Sequence, residues 1–149
     1  MGEPSGPEIG AVGEPYAFEV ERGKIREFAR ATKTRDGAYF DDPTPTAPPT
    51  FLSSSVFWAG PDASVLRARN WSRILHGEQE FVFHGPPPRA GQSLVAQQRV
   101  EDAYDKQGRR GGDMRFTVLV TEFRTPEGEL VAESRATVIE TSRPAGEGS

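Results

Sequence analysis

The chain has 149 residues, 35% hydrophobic and 27% charged, with a formal net charge of −4. That is enough for one domain with a core, and the acidic balance argues against a nucleic-acid partner. The absence of cysteine excludes disulfides, thiolate metal sites and cysteine nucleophiles.

Residues 1–15 are rich in Gly, Pro and Glu and predict a flexible arm. The opening Met-Gly-Glu-Pro-Ser-Gly-Pro-Glu lacks the basic and apolar regions of a signal peptide. No apolar run approaches the roughly 20 residues that span a bilayer. A cytoplasmic protein with no membrane partner is therefore expected. Residues 143–149 predict a flexible tail, so the folded domain is expected over 16–142.

Tyr16-Ala-Phe-Glu-Val20 alternates apolar and polar positions and predicts a short strand. Within Glu21–Thr32, the spacing of Ile25, Phe28 and Ala29 predicts a helix with one apolar face. Lys33 to Pro49 is a loop, because its four prolines forbid a regular helix or a central strand. Thr50–Ala59 is uncharged, small or apolar, and bounded by Pro49 and Gly60-Pro61. It predicts a buried helix, with a buried strand as the competing assignment.

From Ile74 the pattern becomes strands. Phe81 and Phe83 alternate with polar neighbours, and the segment ends at His84-Gly-Pro-Pro-Pro. Leu94–Tyr104 follows, then a basic, glycine-rich connection over Lys106–Gly112. Met114, Phe116, Val118 and Val120 alternate, Thr125-Pro-Glu-Gly-Glu129 has turn chemistry, and Leu130 to Val138 alternates again. The last three strands predict an antiparallel meander. The fold class is α+β: a curved antiparallel sheet wrapped around a helix.

Three segments carry a family resemblance: Phe18–Ala31, Ala47-Pro-Pro-Thr-Phe51, and Leu75-His-Gly-Glu-Gln-Glu-Phe81 with Pro88-Arg-Ala-Gly91. In this order and spacing they resemble the MaoC-like or FAS1-like dehydratase N-terminal domains, across roughly residues 9–141. The relatives include mycobacterial dehydratase subunits of fatty-acid elongation. The resemblance implies a single hot-dog fold and hydration or dehydration of an acyl thioester without a metal or other cofactor. It also implies edge-to-edge pairing with a second chain.

Catalytic members of the wider family carry Asp-x-Asn-Pro-x-His after the first helix. That chemistry needs a base to activate water and an acid to protonate the α-carbon. The matching segment is Thr34-Arg-Asp-Gly-Ala-Tyr39, with Thr34 in place of the Asp and Tyr39 in place of the His. Neither supplies that function near neutral pH. The resemblance therefore implies a non-catalytic subunit that shapes the acyl tunnel. It would pair with a catalytic MaoC-like hydratase chain as a heterodimer or heterotetramer.

No catalytic residue is expected in this chain; the residues nearest to that role are His76 and Glu78. His76 reads as a general base oriented by Glu78 or Glu80, or as a structural histidine on an interface strand. His84 reads as an exposed turn histidine. Asp36, Asp41 and Asp42 form either a carboxylate cluster or a set of turn formers. Pro49, Thr50, Phe51 and Phe57 are expected along the acyl tunnel, with Phe57 and Trp58 as core residues in the competing reading. Arg109 and Arg110, with Lys106, bind the phosphate of coenzyme A or the face of an acyl carrier protein; otherwise they cap a solvated hairpin. Trp71 and Arg73 cap a helix or meet a partner.

The functional expectation is a subunit of an (R)-specific enoyl-thioester hydratase or 3-hydroxyacyl-thioester dehydratase. The alternatives are a self-sufficient homodimer using His76, and an acyl-thioester binding and assembly module.

Overall fold

The computed structural model describes residues 6–66, 70–109 and 112–142. It contains one antiparallel sheet of five strands. These are β1 (Tyr16–Glu19), β2 (Ile74–Phe83), β3 (Ser93–Gln107), β4 (Asp113–Arg124) and β5 (Leu130–Thr141), in the spatial order β1-β3-β4-β5-β2. Helix α1 (Arg22–Ala31) and three short 3₁₀ helices connect β1 to β2. The expected β3-β4-β5 meander is present, with Ala96 opposite Phe123 and Leu119 opposite Ala136. Gly128 takes a φ of +96° in the β4–β5 turn, where only glycine is unstrained.

Alternation puts one face of each strand into the core. Phe18, Leu94, Ala96, Phe123 and Ala132 point inward and pack against Ile25 of α1 and Phe51 and Leu52 above the sheet. The Phe18 ring meets Phe51, Trp58 and Phe123 with centroids 5.0–6.0 Å apart. Gly77 interrupts β2, and the pairing register with β5 shifts between His76 and Glu78.

One expectation changes. The segment over Thr50–Ala59 is a seven-residue 3₁₀ helix, Phe51–Phe57, rather than a buried α-helix. The Ser53 and Ser54 hydroxyls donate to the carbonyls three residues back, Thr50 and Phe51, which competes with α-helical bonding. Part of the N-terminal arm is paired with the sheet. Gly10 N donates to Val100 O, Val100 N to Ala11 O, and Gly13 N to Gln98 O. Residues 10–13 therefore extend the sheet edge along β3.

Candidate functional site

A cavity of about 400 Å³ lies between the 3₁₀ helix Phe51–Phe57 and the inner face of the sheet. Leu52, Ser53, Ser55, Val56 and Ala59 form its roof; Gln98, Leu119, Thr121, Ser134 and Ala136 form its floor. Tyr16 closes the β1 side, Ala63 and Ser64 another flank, and His76 and Gln79 the β2 side. A 3₁₀ helix turns every three residues. That period puts Leu52 and Ser55 over the cavity and turns Phe51 and Ser54 into the core.

The polar lining is held in place. Tyr16 Oη donates to Ser55 Oγ at 3.1 Å. Burial pushes the Tyr16 pKa above its ordinary value, against a smaller opposing pull from that hydrogen bond. Gln79 Nε2 donates to Ser134 Oγ at 2.8 Å and to the Arg135 carbonyl at 3.1 Å. Gln98 Oε1 accepts from Val65 N at 3.0 Å, which pins the segment carrying Ser64. Among the described residues no carboxylate lines the cavity, and the titratable side chains there are Tyr16 and His76.

His76 borders the cavity as a candidate, but neither Glu78 nor Glu80 is bonded to it among the described residues. Gly77 supplies the reason, because the bulge displaces Glu78 from the register of His76. His84 is exposed in the turn after β2, as expected, and its Nε2 lies 2.7 Å from Glu133 Oε2 on β5. The Glu133 side chain is only 7% exposed. Burial raises its pKa, but hydrogen bonds from His84 and Arg135 with their charges outweigh that, and the net position is below the ordinary carboxylate value.

None of Pro49, Thr50, Phe51 and Phe57, expected along a tunnel, lines the cavity. Pro49 and Thr50 are exposed, Phe51 is core, and Phe57 is 77% exposed beneath the Lys24 ammonium. Asp36 and Asp42 act as turn formers, accepting from Ala38 N and Thr44 N, and Asp42 also pairs with Arg89. Thr34 and Tyr39 lie outside the cavity lining. Arg109 is exposed at the β3–β4 hairpin, Arg110 lies outside the described residues, and Lys106 sits over the stacked Tyr104 and Phe116 rings. Trp71 is exposed in a 3₁₀ turn capped by Asn70.

Gln98, Thr121 and Ser134 do not stand out in the sequence as site residues. Their signal is a polar residue in the inward half of an alternating strand, as with Gln98 between Ala96 and Val100, or Thr121 between Leu119 and Phe123. Without the opposing roof, such positions read as ordinary strand variation.

Residues 8–134 match the family described as FAS1-like, dehydratase domain region. The UPF0336 protein of Saccharopolyspora erythraea is 37% identical over 134 residues, covering 83% of this chain and 81% of that protein. Among solved structures, the C-terminally truncated HadBC (3R-hydroxyacyl-ACP dehydratase) complex from Mycobacterium tuberculosis matches with TM-score 0.69 and 28% identity. That match covers 88% of this chain and 96% of the matched one. The ChsH1–ChsH2 complex of the same organism matches at TM-score 0.67 over 92% of this chain and 87% of that one, with 17% identity, and so speaks to the fold alone. The five-stranded sheet and the helices packed on it are the hot-dog fold of the MaoC-like dehydratases. This chain belongs to the FAS1-like dehydratase region family.

Proposed function

We propose that this chain is the non-catalytic subunit of an (R)-specific enoyl-thioester hydratase or 3-hydroxyacyl-thioester dehydratase, and that a partner MaoC-like chain performs the proton transfers. The observation that carries this reading is a cavity of about 400 Å³ with no carboxylate on its walls among the described residues. Adding water across an enoyl thioester needs a base and an acid within reach of one water. Here the cavity has His76 without an orienting carboxylate, and the family's catalytic positions hold Thr34 and Tyr39.

The sheet edge supports a partner. Residues 75–80 of β2 are exposed, and β2 is bonded only to β5 among the described residues. A free edge strand recruits another strand. The cavity wall reaches this edge at His76 and Gln79, so a second hot-dog chain docked there would complete the wall. The matched HadBC and ChsH1–ChsH2 structures are complexes. A fatty acyl thioester in the cytoplasm is the matching substrate setting.

The test is crotonyl-CoA hydration by the purified chain, alone and together with a chain that carries Asp-x-Asn-Pro-x-His. The chain alone is expected to be inactive and the pair active. The position of His76 on the cavity favours one second reading, a self-sufficient homodimer using His76. That reading expects activity from the chain alone that His76→Ala abolishes without lowering thermal stability.

A further inference from the structure

A polar row crosses the inner face of the sheet, where strand alternation otherwise places core residues. Gln98 of β3 stands opposite Thr121 of β4, which stands opposite Ser134 of β5. On one side of this row lie Ala96, Phe123 and Ala132, and on the other Val100, Leu119 and Ala136. The first set belongs to the core around Phe18 and Phe51, whereas Val100 and Leu119 form a second apolar cluster with Val138. The row therefore separates two apolar clusters, and it is the floor of the cavity. Gln79 continues it to the β2 edge through its bond to Ser134, and Tyr16 and Ser55 face it from the other walls.

The hydrogen-bonding capacity of these side chains is only partly spent. Gln98 Oε1 accepts from Val65 N at 3.0 Å, but Gln98 Nε2 has no partner among the described residues. The Thr121 hydroxyl has none there either. Ser134 Oγ accepts from Gln79 and Ser55 Oγ accepts from Tyr16, and neither serine donates its own proton among the described residues. What is left over is a set of donors, one amide and several hydroxyls. Unpaired donors facing an interior space cost free energy, so packing alone does not account for them. Among the described residues no Arg, Lys, Asp or Glu lines the cavity. Neutral donors without a charged group suit a neutral oxygen acceptor rather than an anion or an ammonium group.

We propose that the row Gln98–Thr121–Ser134 selects an acyl chain that carries a neutral oxygen, a hydroxyl or a keto group, over a plain hydrocarbon chain. This rests on the proposed hydratase role and narrows its substrate class. The oxygen accepts from Gln98 Nε2, Thr121 Oγ1 or Ser134 Oγ, while the adjoining methylenes lie along Leu52, Leu119 and Ala136. A plain chain entering the same space strips water from those donors and returns no hydrogen bond, so it binds more weakly. The subunit without the acid–base pair thus supplies the discrimination between substrates.

The test uses the full chain with its catalytic partner, and compares oct-2-enoyl-CoA with counterparts bearing a keto or hydroxyl group near the far end of the chain. The unmodified complex is expected to favour the oxygenated thioesters about tenfold or more in kcat/KM. Thr121→Val removes the hydroxyl and keeps the shape of the side chain. In that variant the preference is expected to fall about threefold or more, through loss on the oxygenated thioesters and gain on the plain one. Ser134→Ala, on the neighbouring strand, is expected to act in the same direction, and it decides the matter if Thr121→Val does not fold. No preference in the unmodified complex, or a preference that the folded variants leave intact, overturns the proposal. Inactivity toward every thioester counts against the hydratase role instead. Calorimetric titration of the full chain with octanoyl-CoA and its oxygenated counterparts then decides selection. Tighter binding of the oxygenated thioesters that Thr121→Val weakens supports it, and equal affinity or no binding overturns it.

Discussion

At the scale of residues, the buried carboxylate of Glu133 illustrates how the outer face of the sheet is secured. It accepts from Arg135 at 3.2 Å and pairs with His84 at 2.7 Å, so its charge is compensated where water is scarce. The folded protein holds its pKa below the unfolded value, so the stabilisation is present above the unfolded pKa and is lost as pH falls through the folded one. Thermal melts of the unmodified protein are expected to lose stability on acidification below the ordinary carboxylate value, and Glu133→Gln to show a flatter pH dependence. At neutral pH that variant is expected to be less stable by about 1–3 kcal/mol, since Arg135 loses a charged partner. Phe18 governs the other face. Its fully buried ring touches three aromatic neighbours, and Phe18→Ala is expected to cost about 3–5 kcal/mol in denaturant unfolding.

At the scale of elements, the cavity depends on a backbone contact remote from its floor. A Cβ on Gly13 would lie 2.0 Å from the Ala63 carbonyl oxygen, and Ala63 and Ser64 line the cavity. Gly13→Ala is expected to displace that flank and detach residues 10–13 from β3. Hydrogen exchange should show faster exchange at Gly13 and Val100, with the β3–β4 amides unchanged; protection equal to the unmodified protein would rule this out. The same elements show what sequence reveals. Strands β4 and β5 were legible because a period of two survives in Met114–Val120 and Leu130–Val138. The helix type over Phe51–Phe57 was not, because short uncharged runs fit several conformations and serine back-bonding is invisible in a pattern. The pairing of Gly10–Gly13 was equally hidden, since it depends on an edge of β3 that exists only after the sheet forms. His76 was legible as a site residue, yet its separation from Glu78 depends on the Gly77 bulge. Of the expected tunnel positions, Phe51 turns into the core, whereas Phe57, at the last residue of the helix, is exposed, and a pattern of short uncharged residues does not distinguish the two.

At the scale of the whole molecule, the asymmetry of the sheet matters most. One edge is extended by residues 10–13 along β3, whereas β2 at the other edge is exposed over residues 75–80 beside the cavity. The described helices include none long and apolar enough to cross a membrane. The free edge, the cavity that reaches it and the missing acid–base pair fit together if another hot-dog chain completes the unit. The most direct measurement is crotonyl-CoA hydration by the chain alone, by the chain with an Asp-x-Asn-Pro-x-His partner, and by both preparations carrying His76→Ala. The account predicts no hydration by the chain alone, turnover by the pair, and turnover by the pair that persists in the His76→Ala variant. Robust hydration by the chain alone, surviving His76→Ala, would contradict it.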